Sequence, residues 1–341
     1  MDARTLQQEA RVVDLHNDTI VAHIRRGNAS LAAPGETFGA AYNGPISGPY
    51  GMQHPPTEPL QIDLPKMHAA GIDVGLFAVD VTTAHNHHLG YALDGIGFLL
   101  HDLAQHAPEA VLVRSAQDLE TAFRVREPAL VLAVEHANVT ERSLHVLHSL
   151  YALGVRSIGF THNRSSYAAD GCWEAREGVG LTDFGVNLVR EMNRLGMLVD
   201  LAHVSPGAFF HALEVSAHPV LFSHGNARAL CDHPRNLTDD QLRALAQNGG
   251  VIGVSYVPMF VDADTPTLER LLGHIDHIVA VAGIETVALG SDFDGGGTLL
   301  DDALEVETIT AGLLARGYAE TDVRAILGEN ALRVLTAVLG L

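Results

Sequence analysis

The chain is poor in cysteine, tryptophan and basic side chains. Its 341 residues include two cysteines and one tryptophan. Cys172 and Cys231 are too few for a disulfide framework and show no metal-binding spacing. Lysine and arginine total 21 against 41 aspartates and glutamates, a formal net charge of −20. That imbalance argues against nucleic acid, which needs a basic patch, and disfavours anionic membranes. No apolar run approaches the ~20 residues of a membrane-spanning helix. The opening segment, MDARTLQQEARVVD, is polar and lacks the apolar core of a secretory signal. The expectation is a cytoplasmic protein that binds neither nucleic acid nor membrane. Internal repeats, charge blocks and a Gly-rich phosphate fingerprint after the first strand are missing too.

What is present is a rhythm. Hydrophobic residues make up 47% of the chain, enough for a large core. Short β-branched or apolar runs fall at 12–16, 73–79, 129–135, 156–161, 197–203, 219–224, 251–256 and 286–292. Between them lie stretches with helical spacing, such as 141–153, 182–195, 206–216, 239–247 and 268–282. Thr182 and Ser205 are placed as N-caps, and Gly154, Gly196, Gly249 and Gly283 as helix stops. Strand and helix alternating eight times predict an α/β protein, a (β/α)8 TIM barrel, over residues 1–341 as a single domain. An open doubly wound sheet is the runner-up. The Gly- and Pro-rich segment at about 34–59 breaks the rhythm and reads as a long loop insertion after strand one.

In such a barrel the chemistry sits at the C-terminal ends of the strands. Six of the eight runs bring an ionisable residue there: His16 and Asp18, Glu135, His162, His203, His224 and Asp292. A purely structural core would avoid them, because uncompensated buried charge is costly. Imidazole and carboxylate are ligands for Zn²⁺ and similar divalent ions. His16 and Asp18 are two apart, so an extended strand presents both on one face, away from Leu15 and Asn17. With Glu135, His203 and His224 they make five candidate ligands. That is more than one catalytic ion uses, and it suits two ions ~3.5–4 Å apart sharing a carboxylate. Taken singly, a histidine at a strand end is more often a hydrogen-bonded rim residue than a ligand. Asp14 is equally readable as a ligand or as an acceptor orienting a histidine. His274 and His277 fit a helix outside the barrel. The loop carrying His85, Asn86, His87 and His88 lies on the active rim and is left out of the ligand set.

With these residues in view, the chain resembles the membrane (renal) dipeptidase family, peptidase family M19, of the amidohydrolase superfamily. The resemblance runs through DLHND (14–18), LPKMHAAGIDVGLF (64–77), LGVRSIGFTHN (153–163), GLTDFGVNLVREMNRLGMLVDLAHVS (180–205), FSHGNARAL (222–230), HPRNLTDD (233–240) and GSDFDG (290–295). It implies that His16 and Asp18 hold one ion, that His203 and His224 hold the other, and that Glu135 bridges them. It further implies that His162 faces the substrate carbonyl, Arg235 binds the substrate carboxylate, and Asp292 contacts the amino group and moves the proton. Two departures bear on pocket shape: His136 follows Glu135 where the family usually has glycine, and Gly225 follows His224 where a serine is frequent.

The resulting expectation is a metallo-dipeptidase with two divalent ions, Zn²⁺ first, although the ligand types serve Mn²⁺, Co²⁺ and Fe²⁺ as well. A metal-bridging hydroxide would cleave L-Xaa-L-Xaa and L-Xaa-D-Xaa dipeptides. The alternative is an amidohydrolase for another bond, such as an N-acyl amino acid, a lactam or a lactone. A non-hydrolytic metal-dependent isomerase and a catalytically dead binding protein are more distant readings. A homodimer is the default assembly.

Overall fold

The computed structural model describes residues 1–20, 29–33, 59–84, 87–174, 180–297 and 299–340. Apart from Pro59, the insertion expected at 34–59 lies outside the described residues. The strands are β1 (Val13–Asn17), β2 (Val74–Asp80), β3 (Val111–Leu112), β4 (Ala129–Glu135), β5 (Val155–Gly159), β6 (Leu198–Asp200), β7 (Leu221–Gly225), β8 (Val251–Val254) and β9 (Val287–Leu289). All pair in parallel. β1 pairs with both β2 and β9, and β2 pairs with β4, so the ring closes. This is a (β/α)8 barrel of eight strands with helices between them, as the alternation predicts.

The ninth strand, β3, is an addition. Its two residues pair with Ala129 and Leu130 of β4, while β5 begins its pairing at Leu132. Since β2 occupies the other edge of β4 along its length, β3 and β5 share one edge. A two-residue strand carries too little periodicity to be read from sequence.

The helix signals operate as expected. The helix Asp183–Leu195 starts at Thr182, whose side chain accepts from the Gly185 N–H, and stops at Gly196, φ +67°. Leu188, Val189 and Met192 form its buried stripe, each contributing roughly 1.5–3 kcal/mol. The helix Pro206–Val215 is likewise capped by Ser205, and Asp239–Asn248 ends at Gly249, φ +78°. Both glycines adopt the left-handed conformation that a side chain would strain.

Two apolar layers hold the ring. One lies between strands and helices and includes Phe77, Leu132, Ile158, Phe209 and Ile252. The other joins Val13, Leu76, Val131, Leu198, Leu221, Val251 and Ala288 with Ala331, Val334, Leu335 and Val338 of the helix Asn330–Leu339. A cluster that joins strands from opposite sides of a ring must lie on its axis. That helix therefore plugs the end of the barrel where the strands begin, leaving the other end for chemistry.

Candidate functional site

Residues from six strands or their following turns converge at the open end. On β1 the approach is not a simple alternation. Between Asp14 and Asn17 the strand carries one residue more than its partner β2. This bulge lets neighbours Leu15 and His16 both join the interior, Leu15 in the apolar layer and His16 in the polar layer above. The Asp292 N–H donates to His16 O at 3.0 Å, and the Asp18 N–H to Phe293 O at 2.8 Å. The two ligand-bearing turns are thus tied together by backbone.

Glu135, the last residue of β4, sits at the centre. Its Oε1 lies 2.7 Å from His203 Nε2, 3.5 Å from His224 Nε2 and 4.0 Å from His16 Nε2. His16 Nε2 lies 3.8 Å from Asp18 Oδ1 and 3.9 Å from Asp292 Oδ1. Asp292 Oδ2 lies 3.9 Å from His224 Nε2. The structure therefore brings all five candidate ligands and Asp292 into one buried cluster. His16 stacks on His224 with ring centres 3.8 Å apart, and His162 stacks on His203 at 4.5 Å.

The far ring nitrogens are held. His203 Nδ1 donates to Asn163 Oδ1 at 2.9 Å, which leaves Nε2 as its inward-facing atom. His224 Nδ1 meets the Ser223 hydroxyl at 2.9 Å. The two Nε2 atoms face each other only 2.9 Å apart. Burial, with Arg235 and neighbouring imidazoles, holds both histidines well below their usual range, which favours the neutral imidazole. His16 behaves oppositely. Burial opposes its charge, yet Glu135, Asp18 and Asp292 together raise it to about 10. Burial pushes Glu135 well above the ordinary carboxylate range. One half of the cluster is thus carboxylate-rich and the other imidazole-rich.

Such convergence of lone pairs suits a divalent cation. Buried His16 Nε2, Asp18 Oδ1 and Glu135 Oε1 have no hydrogen-bond partner. Leaving such atoms unpaired is costly. Two groups able to hold an ion, His16–Asp18–Glu135 and Glu135–His203–His224, share Glu135, with ligand atoms within 4.8 Å of one another in each. His16–His224–Asp292 and Asp80–Glu135–His162 meet the same criterion. A glycine also lets two of the carboxylates close on the backbone. A Cβ on Gly295 would fall 2.2 Å from Asp292 Oδ1 and 2.5 Å from Asp18 Oδ2. The residues present therefore fit a metal.

Backbone strain concentrates here. Asn163, His203 and Asp292 have φ of +61°, +67° and +63°, and His136 has +114°. These conformations cost non-glycine residues energy and are sustained by the surrounding packing.

A cavity of about 230 Å³ opens above the cluster. Asp18, Glu135, His162, His203, His224 and Asp292 form its polar floor, and Trp173, Val257, Met259 and Phe260 its apolar walls. Arg235 also lines it, although its side chain is 1% exposed. Arg235 Nη2 donates to His224 O at 3.1 Å, while Nε and Nη1 have no partner. A larger cavity, about 610 Å³, lies at Gln8, Arg11, Met67 and Asp73, beside the beginnings of β1 and β2. It contains no such cluster, so size does not decide the site.

The residues left open by sequence now have places. Asp14 accepts from Ser291 N at 2.7 Å and from Ser291 Oγ at 2.9 Å, latching β1 to the turn after β9. Burial raises its carboxyl to about 6. His274 accepts from the Ala227 N–H and contacts Val261 O, and His277 pairs with Asp239, so both are structural pegs. His88 opens the helix His88–His106 and stacks on His136, while His85 and Asn86 lie outside the described residues. Three contributors escape a sequence reading. Asp80, at the end of β2, places Oδ2 4.0 Å from His162 Nε2. Asp200, at the end of β6, accepts from the Ala202 and Ser223 N–H groups and so ties the turn before His203 to β7. Asn163 orients His203. The signal for Asp80 and Asp200 was the same strand-end acid that singled out Glu135.

A sequence model of the membrane dipeptidase family, peptidase family M19, matches residues 1–340. The chain belongs to this family. It is 36% identical over 245 residues to dipeptidase verJ of Clonostachys rogersoniana, covering 70% of this chain and 63% of that protein. It is 40% identical over 233 residues to an uncharacterized dipeptidase of Schizosaccharomyces pombe, covering 65% of this chain and 56% of that one. The chain thus spans less than two thirds of the length of these curated relatives. Among solved structures, a metallo peptidase from Rhodobacter sphaeroides, liganded with a phosphinate mimic of the dipeptide L-Ala-D-Ala, superposes with a TM-score of 0.82. It is 25% identical, covering 96% of this chain and 99% of that one. Among the described residues, no helix is long and apolar enough to cross a membrane.

Proposed function

We propose that this chain, as one barrel domain, is a binuclear metallo-dipeptidase cleaving L-Xaa-L-Xaa and L-Xaa-D-Xaa dipeptides. The observation that carries the reading is the pair of ligand groups sharing Glu135 beside a buried arginine with unpartnered N–H groups. His16 and Asp18 would hold one ion and His203 and His224 the other, with Glu135 available to both. When bound, such divalent cations, Zn²⁺ foremost, supply Lewis acidity and lower the pKa of water.

The chain's own groups divide the remaining work. Arg235 presents a planar fork that holds the substrate's α-carboxylate. Its contact with His224 O fixes that fork, so the scissile bond lies above the cluster rather than at its edge. His162, stacked on His203 at the cavity floor, donates to the developing oxyanion. Asp292 stands between the two halves, 3.9 Å from His16 and from His224. From there its carboxylate takes a proton from the attacking water and delivers it to the leaving nitrogen. The D-configured ligand of the Rhodobacter relative supports tolerance of a C-terminal D-residue. A homodimer in the cytoplasm completes the proposal.

The test is metal content and dipeptide turnover measured on one preparation made without chelator. Stoichiometric metal and hydrolysis are expected. Arg235→Ala should lower dipeptide kcat/KM by about 100-fold or more, in line with the ~2–5 kcal/mol of a truncated buried charge contact. Metal-free protein at full activity, or unchanged kcat/KM in the variant, would sink the reading. Turnover of N-acyl amino acids but not of free dipeptides would instead favour the wider amidohydrolase class.

A further inference from the structure

We propose that the enzyme selects its substrates at the C-terminal residue, favouring a bulky apolar side chain there, and tolerates variety at the N-terminal residue. This inference rests on the dipeptidase reading and adds the substrate class. It follows from the asymmetry of the cavity around its anchor. Arg235 is immobilised between Phe222 and Phe260, with its Cζ 6.0 and 5.2 Å from their ring centres. A carboxylate held by its free N–H groups at ~2.8 Å puts the attached Cα within one side chain's reach of the same walls. Those walls are Trp173, Val257, Met259 and Phe260, all apolar, with Asn163 and His233 as the polar members of the same lining, the His233 ring lying 4.8 Å from that of Phe260.

Two of the walls also face water. Trp173 is 56% exposed and Met259 58% exposed, although both line a concave site. Large apolar side chains held open at a pocket mouth gain free energy when an apolar group covers them. A glycine side chain would cover nothing. A charged one would lose hydration against them, because among the described residues these walls hold no lysine or acid and only His233 is titratable.

The other end of the cavity differs. Asp18, Asp292, Gly295 and Gly296 bound it. The Asp292 carboxylate suits the substrate's ammonium group. Among the described residues nothing lies within 4 Å of where a Gly296 Cβ would be. An N-terminal side chain meets no wall of described residues there and is not sorted by size.

The experiment compares kcat/KM, on metal-loaded enzyme, for alanyl dipeptides ending in Leu, Met, Phe, Gly, Asp or Lys, and for the reversed series ending in Ala. From Ala-Gly to Ala-Leu we expect a rise of about 10-fold or more, the discrimination a few apolar carbons give in a pocket. The reversed series should vary less than about 3-fold, since no wall sorts it. In Trp173→Ala and Met259→Ala, each checked for an unchanged melting temperature, the Leu-to-Gly ratio should shrink. A flat C-terminal series, or a preference for Ala-Asp or Ala-Lys, overturns the inference and leaves the dipeptidase reading standing. A ratio unmoved in both folded variants overturns the assignment of these walls. No turnover of any dipeptide by metal-loaded enzyme overturns the dipeptidase reading, and the inference falls with it.

Discussion

The two ends of the barrel use the same strands and have opposite interiors. At the end where strands begin, Val13, Val74, Leu198, Leu221 and Val251 meet Leu335 and Val338, with apolar contact throughout. At the end where strands finish, His16, Glu135, His203 and His224 meet, and His16 Nε2 and Glu135 Oε1 lack partners. Among the described residues, the first end buries no side-chain polar atom without a partner. The second holds groups that only a ligand satisfies. Stability and reactivity are thus separated by the length of one strand, which lets each be altered with limited effect on the other.

The largest way to break this contrast is Glu135→Gln. It keeps the volume but removes the carboxylate that both ligand groups share. Dipeptide kcat/KM should fall by on the order of 10³-fold or more, as for groups acting as a unit, and bound metal should drop. At the opposite end, Leu335→Ala should cost about 2–5 kcal/mol of stability, measured by urea denaturation, and leave kcat/KM of the folded enzyme unchanged. If Leu335→Ala lowered kcat/KM as Glu135→Gln does, the two ends would not be separable.

A smaller effect should come from Gly295→Ala. The new methyl would push Asp18 and Asp292 from their positions. Metal affinity or activity should fall roughly 10–100-fold, the range of residues that orient ligands. Metal titration with activity would check it, and full activity would show that both carboxylates can move.

The smallest effect concerns neither end. Arg194, then His148, hydrogen-bonds Glu191 on the barrel's outer face and lowers its carboxyl to about 2 from 4.5. A carboxylate lowered on folding contributes stability above pH ~4.5 that is lost as pH falls toward ~2. Glu191→Gln should therefore lower the melting temperature slightly at neutral pH. That deficit should vanish toward pH 2, with kcat/KM unchanged at neutral pH. A deficit independent of pH would mean that the ion pair is not its source.

Much of this plan was legible in the chain. The eight barrel strands and their capped helices follow from apolar runs bounded by Thr, Ser and Gly signals. The strand-end ionisable residues follow from reading those runs at one end only. What escaped was local. β3 is too short to carry a pattern. The bulge in β1 leaves no trace in residue type, so alternation alone misplaces Leu15 relative to His16. Asp80 escapes because the apolar run stops at Val79, one residue before the strand does. Asn163 and Trp173 lie on a loop after β5, where no period operates and only tertiary closure shows what a side chain touches. The positive φ of His203 and Asp292 is set by turns held from neighbouring strands, which sequence does not display.

The latch between Asp14 and Ser291 spans 277 positions. During synthesis β1 emerges early, but its partner turn and the plugging helix Asn330–Leu339 emerge after every other strand. His16 and Asp18 therefore spend most of translation without Asp292. A nascent chain halted before β9 contains seven of the barrel's eight strands and no complete cluster, so acquisition of the full site marks a finished ring.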